Sequence, residues 1–223
     1  LEHWGNDAVA PPPPPRDREL HYWRIFGGAD TTSFTTTPNV LDETNCRPPA
    51  TLSGDICTLH GRGSWVELQV GHGTAFVVRG LDDAVDRVMV VGYLQSRHTP
   101  GEPSSTSADY GDTSMYQLVD PDRFARRYTL AGGRGYAAEW VQLVRRRGAS
   151  LVRVDGRVVG GWMPVDEFEY ADVSVSGDAV VVWSEDPVGV TQFGYTDPGV
   201  ETLDCTAVTR MCASSYAHPA GWR

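Results

Sequence analysis

The chain of 223 residues contains no lysine, so all 19 of its basic residues are arginine. Against them stand 29 acidic residues, for a formal net charge of −10. Affinity for nucleic acid rests mainly on neutralising phosphates, so this balance argues against a general nucleic-acid binder. The missing lysine itself reads as a GC-rich coding bias and not as a mechanism. No run approaches the roughly 18 apolar residues of a membrane-crossing helix, so no membrane span is expected. No charged and then apolar leader opens the residues given, so no signal peptide is visible. Isoleucine occurs twice and leucine 13 times, whereas valine occurs 27 times. That bias, with many Thr, Tyr and Trp, favours strands over helices. Composition therefore describes a soluble, acidic, β-rich protein.

Catalytic signatures are also missing. There is no G-x-S-x-G elbow, no H-E-x-x-H, no phosphate-binding G-x-x-x-x-G-K-[ST] and no G-x-G-x-x-G opening a helix. The glycine patches Gly61-Arg62-Gly63 and Gly132-Gly133-Arg134-Gly135 precede strands and so lack a helix N-terminus for phosphate. The six histidines form no i, i+2 or i, i+4 pair. No catalytic residue, cofactor site or metal site is expected. Asp82, Asp83 and Asp86 share one turn, and oxygen-rich turns can hold Ca²⁺; the ordinary reading is a polar turn.

Four cysteines remain, spaced C-x10-C and C-x6-C among turn-forming residues. Neither spacing suits a zinc knuckle. The expected pairs are Cys46–Cys57 and Cys205–Cys212, with four buried thiols as the alternative. Disulfides imply an oxidising compartment, hence export.

What is present is a series of strands. His21 to Phe26 is aromatic and β-branched; Thr31 to Thr37 is Thr-rich. Trp65 to Val70 alternates, with Val66, Leu68 and Val70 on one side and Trp65, Glu67 and Gln69 on the other. Val88 to Val91 reads as a central buried strand. The Ser-rich stretch from His98 to Ser114 reads as a long loop. Asp120 as cap, Pro121 at the first position and Asp122 to Tyr128 behind them predict one short helix near 120–128. Further on, Asp155-Gly156 between apolar residues predicts a hairpin with positive φ at both central positions. An internal likeness links Phe76 to Tyr93 with Val180 to Tyr195: strand, acidic turn, strand, Gly-Tyr. Tyr22 to Phe26 then takes the place of Trp140 to Val144.

The expected fold is all-β: two related antiparallel β-units packed as sandwich-like modules. Residues 1–19, with Pro11 to Pro15, read as a Pro-rich leader or linker, or as a ligand for a Pro-binding partner. That segment is expected to pack on its own domain or on a neighbouring chain. The β-rich domain then spans 20–223: a β-unit over 20–97, a connector over 98–137 and a β-unit over 138–223. Trp65 and Trp183 are candidate ligand or partner contacts on outer sheet faces. The basic run Arg145, Arg146 and Arg147 is a second candidate, suited to an acidic partner.

Several of these segments line up with one pattern. Tyr22-Trp23-Arg24-Ile25-Phe26, with Asp30 and Thr32, resembles the "YRIVA-x-x-D-x-T" opening of the IgGFc-binding protein N-terminal-type domain. Gly111-Asp112-Thr113-Ser114-Met115, Leu118-Val119 and Phe124 to Thr129 resemble its "GDPSM-x-LVPP…F-x-x-x-YT" centre. Trp140 to Val144 with Val154-Asp155-Gly156 resembles its "YVNIVA…LDG" hairpin. Phe193-Gly194-Tyr195 and Ser215 to Gly221 resemble its "YGYG…SYGYPGG" close. The match runs over about residues 20–222. Thr113 and Asp120 depart from the pattern's prolines, and the stretch between Cys46 and Cys57 reads as an insertion. The resemblance implies no catalytic residues and points to a bacterial secreted or surface protein. The expected function is a non-enzymatic extracellular adhesion or ligand-binding module, whose partner is a protein or a glycan at a cell surface. The alternative is a structural subunit of an extracellular filament or surface layer, self-associating through residues 1–19.

Overall fold

The computed structural model describes residues 4–14, 21–71, 73–94, 114–132, 136, 138–195 and 215–220. Cys205, Cys212, the Gly111-Asp112-Thr113 motif and most of the Ser-rich stretch lie outside the described residues. Within them the chain is strands joined by turns, and every pairing is antiparallel.

The first unit is a two-layer sandwich. Sheet I orders β6 (Trp65–Val70), β2 (His21–Gly27), β8 (Val88–Leu94) and β9 (Ser114–Gln117). Sheet II orders β1 (Asp7–Ala10), β7 (Phe76–Gly80), β3 (Thr31–Thr37), β5 (Ile56–His60) and β4 (Thr51–Ser53). The alternation of β6 sends Val66, Leu68 and Val70 inward and leaves Trp65, Glu67 and Gln69 exposed. Trp23, Ile25, Phe34, Leu68, Phe76 and Val90 fill the space between the sheets. Burying such side chains contributes about 1.5–3 kcal/mol each, the main term holding the layers together. Trp23 meets both Phe76 and Tyr116 edge-on, with ring centroids 5.8 Å apart in each case.

The second unit is one eight-stranded sheet folded about a single long strand, β16 (Ala179–Tyr195). The early part of β16 pairs with β10 (Ala125–Ala131) and β12 (Val152–Val154), and β12 with β13 (Arg157–Val158); this is sheet IV. Its later part pairs with β11 (Ala138–Arg146) and β17 (Ser215–Pro219). Beyond β11 come β15 (Phe168–Val175) and β14 (Met163–Val165), completing sheet III. Val141, Leu143 and Ala171 from sheet III meet Leu130, Val152, Val180 and Val182 from sheet IV in the second core. The valine excess of the composition is concentrated here and in β7 and β8.

The two units share their order of pairing. Sheet I reads β6–β2–β8–β9 and sheet III reads β15–β11–β16–β17. Sheet II contains β1–β7–β3–β5 and sheet IV β10–β16–β12–β13. The lists follow the same chain order in both units, except that β4 stands between β3 and β5 with no counterpart between β12 and β13, and that β16 takes the places of both β7 and β8. Where β7 and β8 are separate strands joined by an acidic turn, β16 runs through without a break.

One further segment differs from the sequence expectation. The predicted helix near 120–128 is a 3₁₀ turn of three residues, Pro121–Arg123, followed directly by β10. Its start is as predicted: Pro121 opens the turn, and the Asp120 side chain accepts from the Asp122 amide at 2.8 Å. The helix stops because Phe124 is already extended and Tyr128 and Leu130 bury on one side of a strand. Their partners Arg127 and Thr129 stay in water. The i, i+4 spacing of Phe124 and Tyr128 is thus incidental. Tyr128 instead donates its hydroxyl to the Val188 carbonyl at 2.6 Å.

The Pro-rich start takes one of the two placements expected of it, on its own chain. Asp7–Ala10 forms β1 on the edge of sheet II, and Pro11 to Pro14 are buried. The Gln142 amide donates to the Pro12 carbonyl at 2.7 Å, and the Tyr195 hydroxyl to that of Pro14 at 3.3 Å. Residues 4–14 therefore find their partners within their own chain. Five prolines in a row conceal this: the strand residues precede them, and the prolines serve as carbonyl acceptors.

Candidate interaction surfaces

The junction between the units shows what a docked face of this fold looks like. Val9 and Val77 point outward from sheet II and pack on Val144, Val165, Phe168 and Tyr170 of sheet III. Arg79, beside Val77, pairs with Asp166 and, at 2.9 Å, with Glu167. Both acids sit in the two-residue turn between β14 and β15, where Asp166 has a φ of 52°. Further along, the side chains of Phe193 and Tyr195 on sheet III join the core of the first unit. Tyr116 meets Phe193 with ring centroids 5.1 Å apart, edge-on. Sheet III thus meets sheet II through the Val9–Val77 patch and sheet I directly where β17 lies beside β9, the Ala217 amide donating to the Ser114 hydroxyl at 3.3 Å. The outer faces of sheets I and IV have no partner among the described residues.

The outer face of sheet I holds Trp65. It is 47% exposed and lies beside Phe26, with ring centroids 6.4 Å apart. The Arg24 guanidinium lies over the Trp65 ring at 4.5 Å and over Tyr93 at 4.9 Å. Its Nε donates to Glu67 at 2.8 Å, and that hydrogen bond raises Arg24 above its usual value, so the cation is permanent. Met115, 62% exposed, closes the face opposite Tyr93. A cation held between two rings fixes both rings in advance, which lowers the entropy lost when a partner covers them.

Trp183 lies on the outer face of sheet IV, 41% exposed. The register places Arg127 on one side of it and Arg153 on the other, with exposed Val158 opposite Arg153. Trp65 and Trp183 both stand outward on sheets, on opposite outer layers. The fold does not bring them together into one site.

The basic run is largely absorbed by the fold. Arg145 pairs with Glu169 at 2.7 Å, donates to the Ser150 carbonyl at 2.8 Å and stacks on Trp162 at 3.9 Å. Arg146 reaches Glu167 at 3.3 Å and lies over Phe168. Arg147 donates to the Phe168 carbonyl at 3.3 Å. A shallow groove of about 450 Å³ runs past Arg146 and Arg147, and Asp122 and Asp186 line it too. Its charge is therefore mixed. Backbone and side-chain hydrogen bonds from Ser150 hold the Asp186 carboxyl below the usual carboxylate range.

The acidic turn after β7 is knitted to its surroundings. Asp86 accepts from the Ser33 amide at 2.9 Å and the Asp82 amide at 3.0 Å. Asp82 accepts from Ala84 at 2.9 Å and Asp83 from Asn6 at 2.6 Å. Among the described residues no group of three or more His, Cys, Asp or Glu is placed to hold a metal. The Cys46–Cys57 disulfide is formed, with Cα atoms 6.0 Å apart, and ties the loop before β4 to β5.

Comparison with known proteins adds a family. The family model described as IgGFc binding protein matches residues 1–194. The chain belongs to this family. The match includes residues 1–19, so the family's extent takes in β1 as well as the strands the sequence motifs mark. The Ser215 to Gly221 motif falls beyond it. No curated protein and no solved structure matches this IgGFc-binding family member. Among the described residues no helix is long and apolar enough to cross a membrane.

Proposed function

We propose that the chain is a non-enzymatic binding module that works outside the cell, and that the outer face of sheet I is its contact surface. The observation that carries this reading is the preformed set of Trp65, Arg24 and Tyr93 on a flat sheet face. Trp, Tyr and Arg are the side chains that dominate binding energy when a partner excludes water from them. Family membership supports a binding role, and the Cys46–Cys57 bridge suits an oxidising, exported setting. The ligand class is a protein or a glycan at a cell surface. Fc is one candidate, taken from the family description alone, since a shared fold does not carry a ligand with it.

The test is binding of the immobilised chain to a glycan array, to surface-protein extracts and, as a separate arm, to Fc. The expected result is a ligand whose affinity falls about tenfold or more in Trp65→Ala and in Arg24→Ala, with unchanged melting temperature. Ligand binding that ignores both substitutions overturns the assignment of the face.

A second reading, a subunit of an extracellular assembly, is favoured by the exposed Trp183 on the opposite outer layer.

A further inference from the structure

We propose that the outer edge of β6 is a docking site for an extended peptide segment of a partner protein, which adds to sheet I as a further strand. This rests on the reading of sheet I as a binding face, and it names the ligand of that face as a peptide strand running beside Trp65.

The Gly27 amide donates to the Ser64 carbonyl at 2.9 Å, and the register continues from there as Phe26 with Trp65 and Ile25 with Val66. Antiparallel pairs alternate between hydrogen-bonded and non-hydrogen-bonded. Val66, Leu68 and Val70 therefore turn their N–H and C=O groups toward β2. Trp65, Glu67 and Gln69 turn theirs away from it. The other side of β2 keeps the same phase: the Gly28 amide donates to the Arg87 carbonyl at 2.8 Å, so the alternate residues of β2 serve β8. Among the described residues no backbone group meets the outward amides and carbonyls of Trp65, Glu67 and Gln69.

Such a row is a template for another strand, and proteins guard it with short strands, prolines, bulges or covering segments. The other edges of this fold carry such guards. β4, β13 and β14 have three, two and three residues, and β14 holds Pro164. β1 has four residues and runs into Pro11 to Pro14. β9 and β17 lie against one another. β10 has seven residues, but a bulge breaks it between Ala125 and Arg127. The Ala125 amide donates to the Tyr128 hydroxyl at 2.8 Å, and the Gln192 side-chain amide donates to the Ala131 carbonyl at 2.9 Å, so side chains cap groups at both ends of β10. β6, by contrast, has six residues in unbroken register, with no proline. Lysine, a common edge guard, is missing from the whole chain. The one charge on β6, Glu67, is already paired with Arg24 at 2.8 Å. In the second unit the strand in the matching place, β15, carries a further strand, β14, on this edge.

The edge also sets the kind of ligand. A peptide backbone repeats a donor and an acceptor at the spacing of this row; a sugar chain does not. Side chains of an added strand alternate between the faces of the sheet. One set lies beside Trp65, Glu67 and Gln69, and the other flanks the buried Val66, Leu68 and Val70. A segment of alternating β-branched and aromatic residues, one of them against Trp65, uses both rows.

The experiment selects binders of the immobilised full chain from a display library of peptides of about nine residues. The best is titrated up to about 1 mM, which covers weak contacts. Amide hydrogen exchange is recorded with and without it. The expected result is slowing of the Trp65, Glu67 and Gln69 amides by about tenfold or more on binding, with Val66 and Leu68 protected already in the free chain. Gln69→Pro removes an outward N–H that the ladder to β2 does not use, so the variant is expected to fold. It should lose about tenfold or more in peptide affinity, whereas Gln69→Ala, which keeps the N–H, should lose less than about threefold. Melting temperature controls for folding. Should Gln69→Pro fail to fold, the exchange pattern decides alone.

No peptide bound at the top of the range overturns the proposal. So do binders that leave the three amides exchanging at the free rate, or an affinity unchanged in folded Gln69→Pro. If a glycan or a folded protein binds, and Trp65→Ala and Arg24→Ala weaken it while Gln69→Pro does not, the binding face stands and the added strand fails. If the three amides are protected but Trp65→Ala and Arg24→Ala change nothing, the edge stands and the reading of the face falls.

Discussion

Asp172 shows how single residues record the junction between the units. It lies on the outer face of sheet III beside Gln142, whose amide donates to it at 2.9 Å and to Pro12. Burial raises its carboxyl to about 6, more than the Gln142 hydrogen bond lowers it. Asp7, on β1, is raised to about 6 as well, chiefly by burial and against the pull of Arg79. Both groups hold a proton in the folded state at pH values where the unfolded chain has lost it. Between about pH 4 and pH 6 their contribution to stability therefore falls as pH rises. For Asp172 the rise from the ordinary carboxyl value to about 6 corresponds to about 3 kcal/mol. Asp172→Asn keeps an acceptor for Gln142 and removes the titration. Its urea midpoint should exceed that of the natural chain at pH 7, and the gap should shrink toward pH 4. A gap independent of pH would show that burial of this carboxyl is not the cause. Gly92 records packing instead. A Cβ there would lie 2.5 Å from Cζ of Tyr116 and 2.8 Å from Cζ3 of Trp23. Both rings are fully buried and cannot swing away, so Gly92→Ala should cost about 1–3 kcal/mol in denaturant unfolding. An unchanged midpoint would mean that the aromatic cluster yields more readily than its contacts suggest.

At the scale of elements, the strands that announce themselves are those whose neighbours on both sides differ in polarity. Trp65–Val70 is legible because Val and Leu alternate with Trp, Glu and Gln, and the same alternation places Trp65 outward. The Asp155-Gly156 hairpin is legible from two residues; both have positive φ, 48° and 78°. Asp155 also accepts from the Val181 amide at 2.8 Å, a contact with a distant strand that no local pattern contains. β10 was hidden behind a true cap and a true helix-opening proline, which specify a start but not a length. β1 was hidden by the prolines behind it. β5 was hidden among turn residues, although its pairing with β3 buries Cys57 and Leu59. The proposed contact face is only half legible in the sequence. Trp65 follows from β6 alone, whereas the Arg24 and Tyr93 partners come from β2 and β8 and depend on strand order. The intramolecular partners of the basic run are illegible for the same reason, since Glu169 and Trp162 lie on other segments. The disulfide belongs to this scale. It closes a loop of about ten residues, and the chain-entropy account assigns such a closure about 2–3 kcal/mol. Cys46→Ser with Cys57→Ser should lose about that much in chemical unfolding while the far-ultraviolet dichroism of the folded state is kept. A double variant as stable as the natural chain would mean that the loop is already ordered by Asp42, which accepts from both Thr44 and Asn45.

The whole molecule is more than two sandwiches in contact. Phe193, Tyr195 and Ala217 belong to strands of the second unit but fill the core of the first. β1 pairs on sheet II, while the prolines after it accept hydrogen bonds from sheet III. Arg79 spans the junction to Asp166 and Glu167. A unit released from its partner would expose these apolar side chains to water, at about 1.5–3 kcal/mol for each fully exposed one. The two units should therefore unfold together. Val9 tests this directly, because it is buried at the junction and belongs to neither sandwich core. Val9→Asp places a carboxylate among Val77, Val144 and Phe168. It should lower stability by about 3 kcal/mol or more while leaving both internal cores chemically intact. If the junction couples the units, tryptophan fluorescence and far-ultraviolet dichroism will move to lower denaturant together, in one transition. If the units are independent, the signals will separate, with one transition held at its original midpoint. Coincidence would mark the two units as one cooperative body that opens only as a whole.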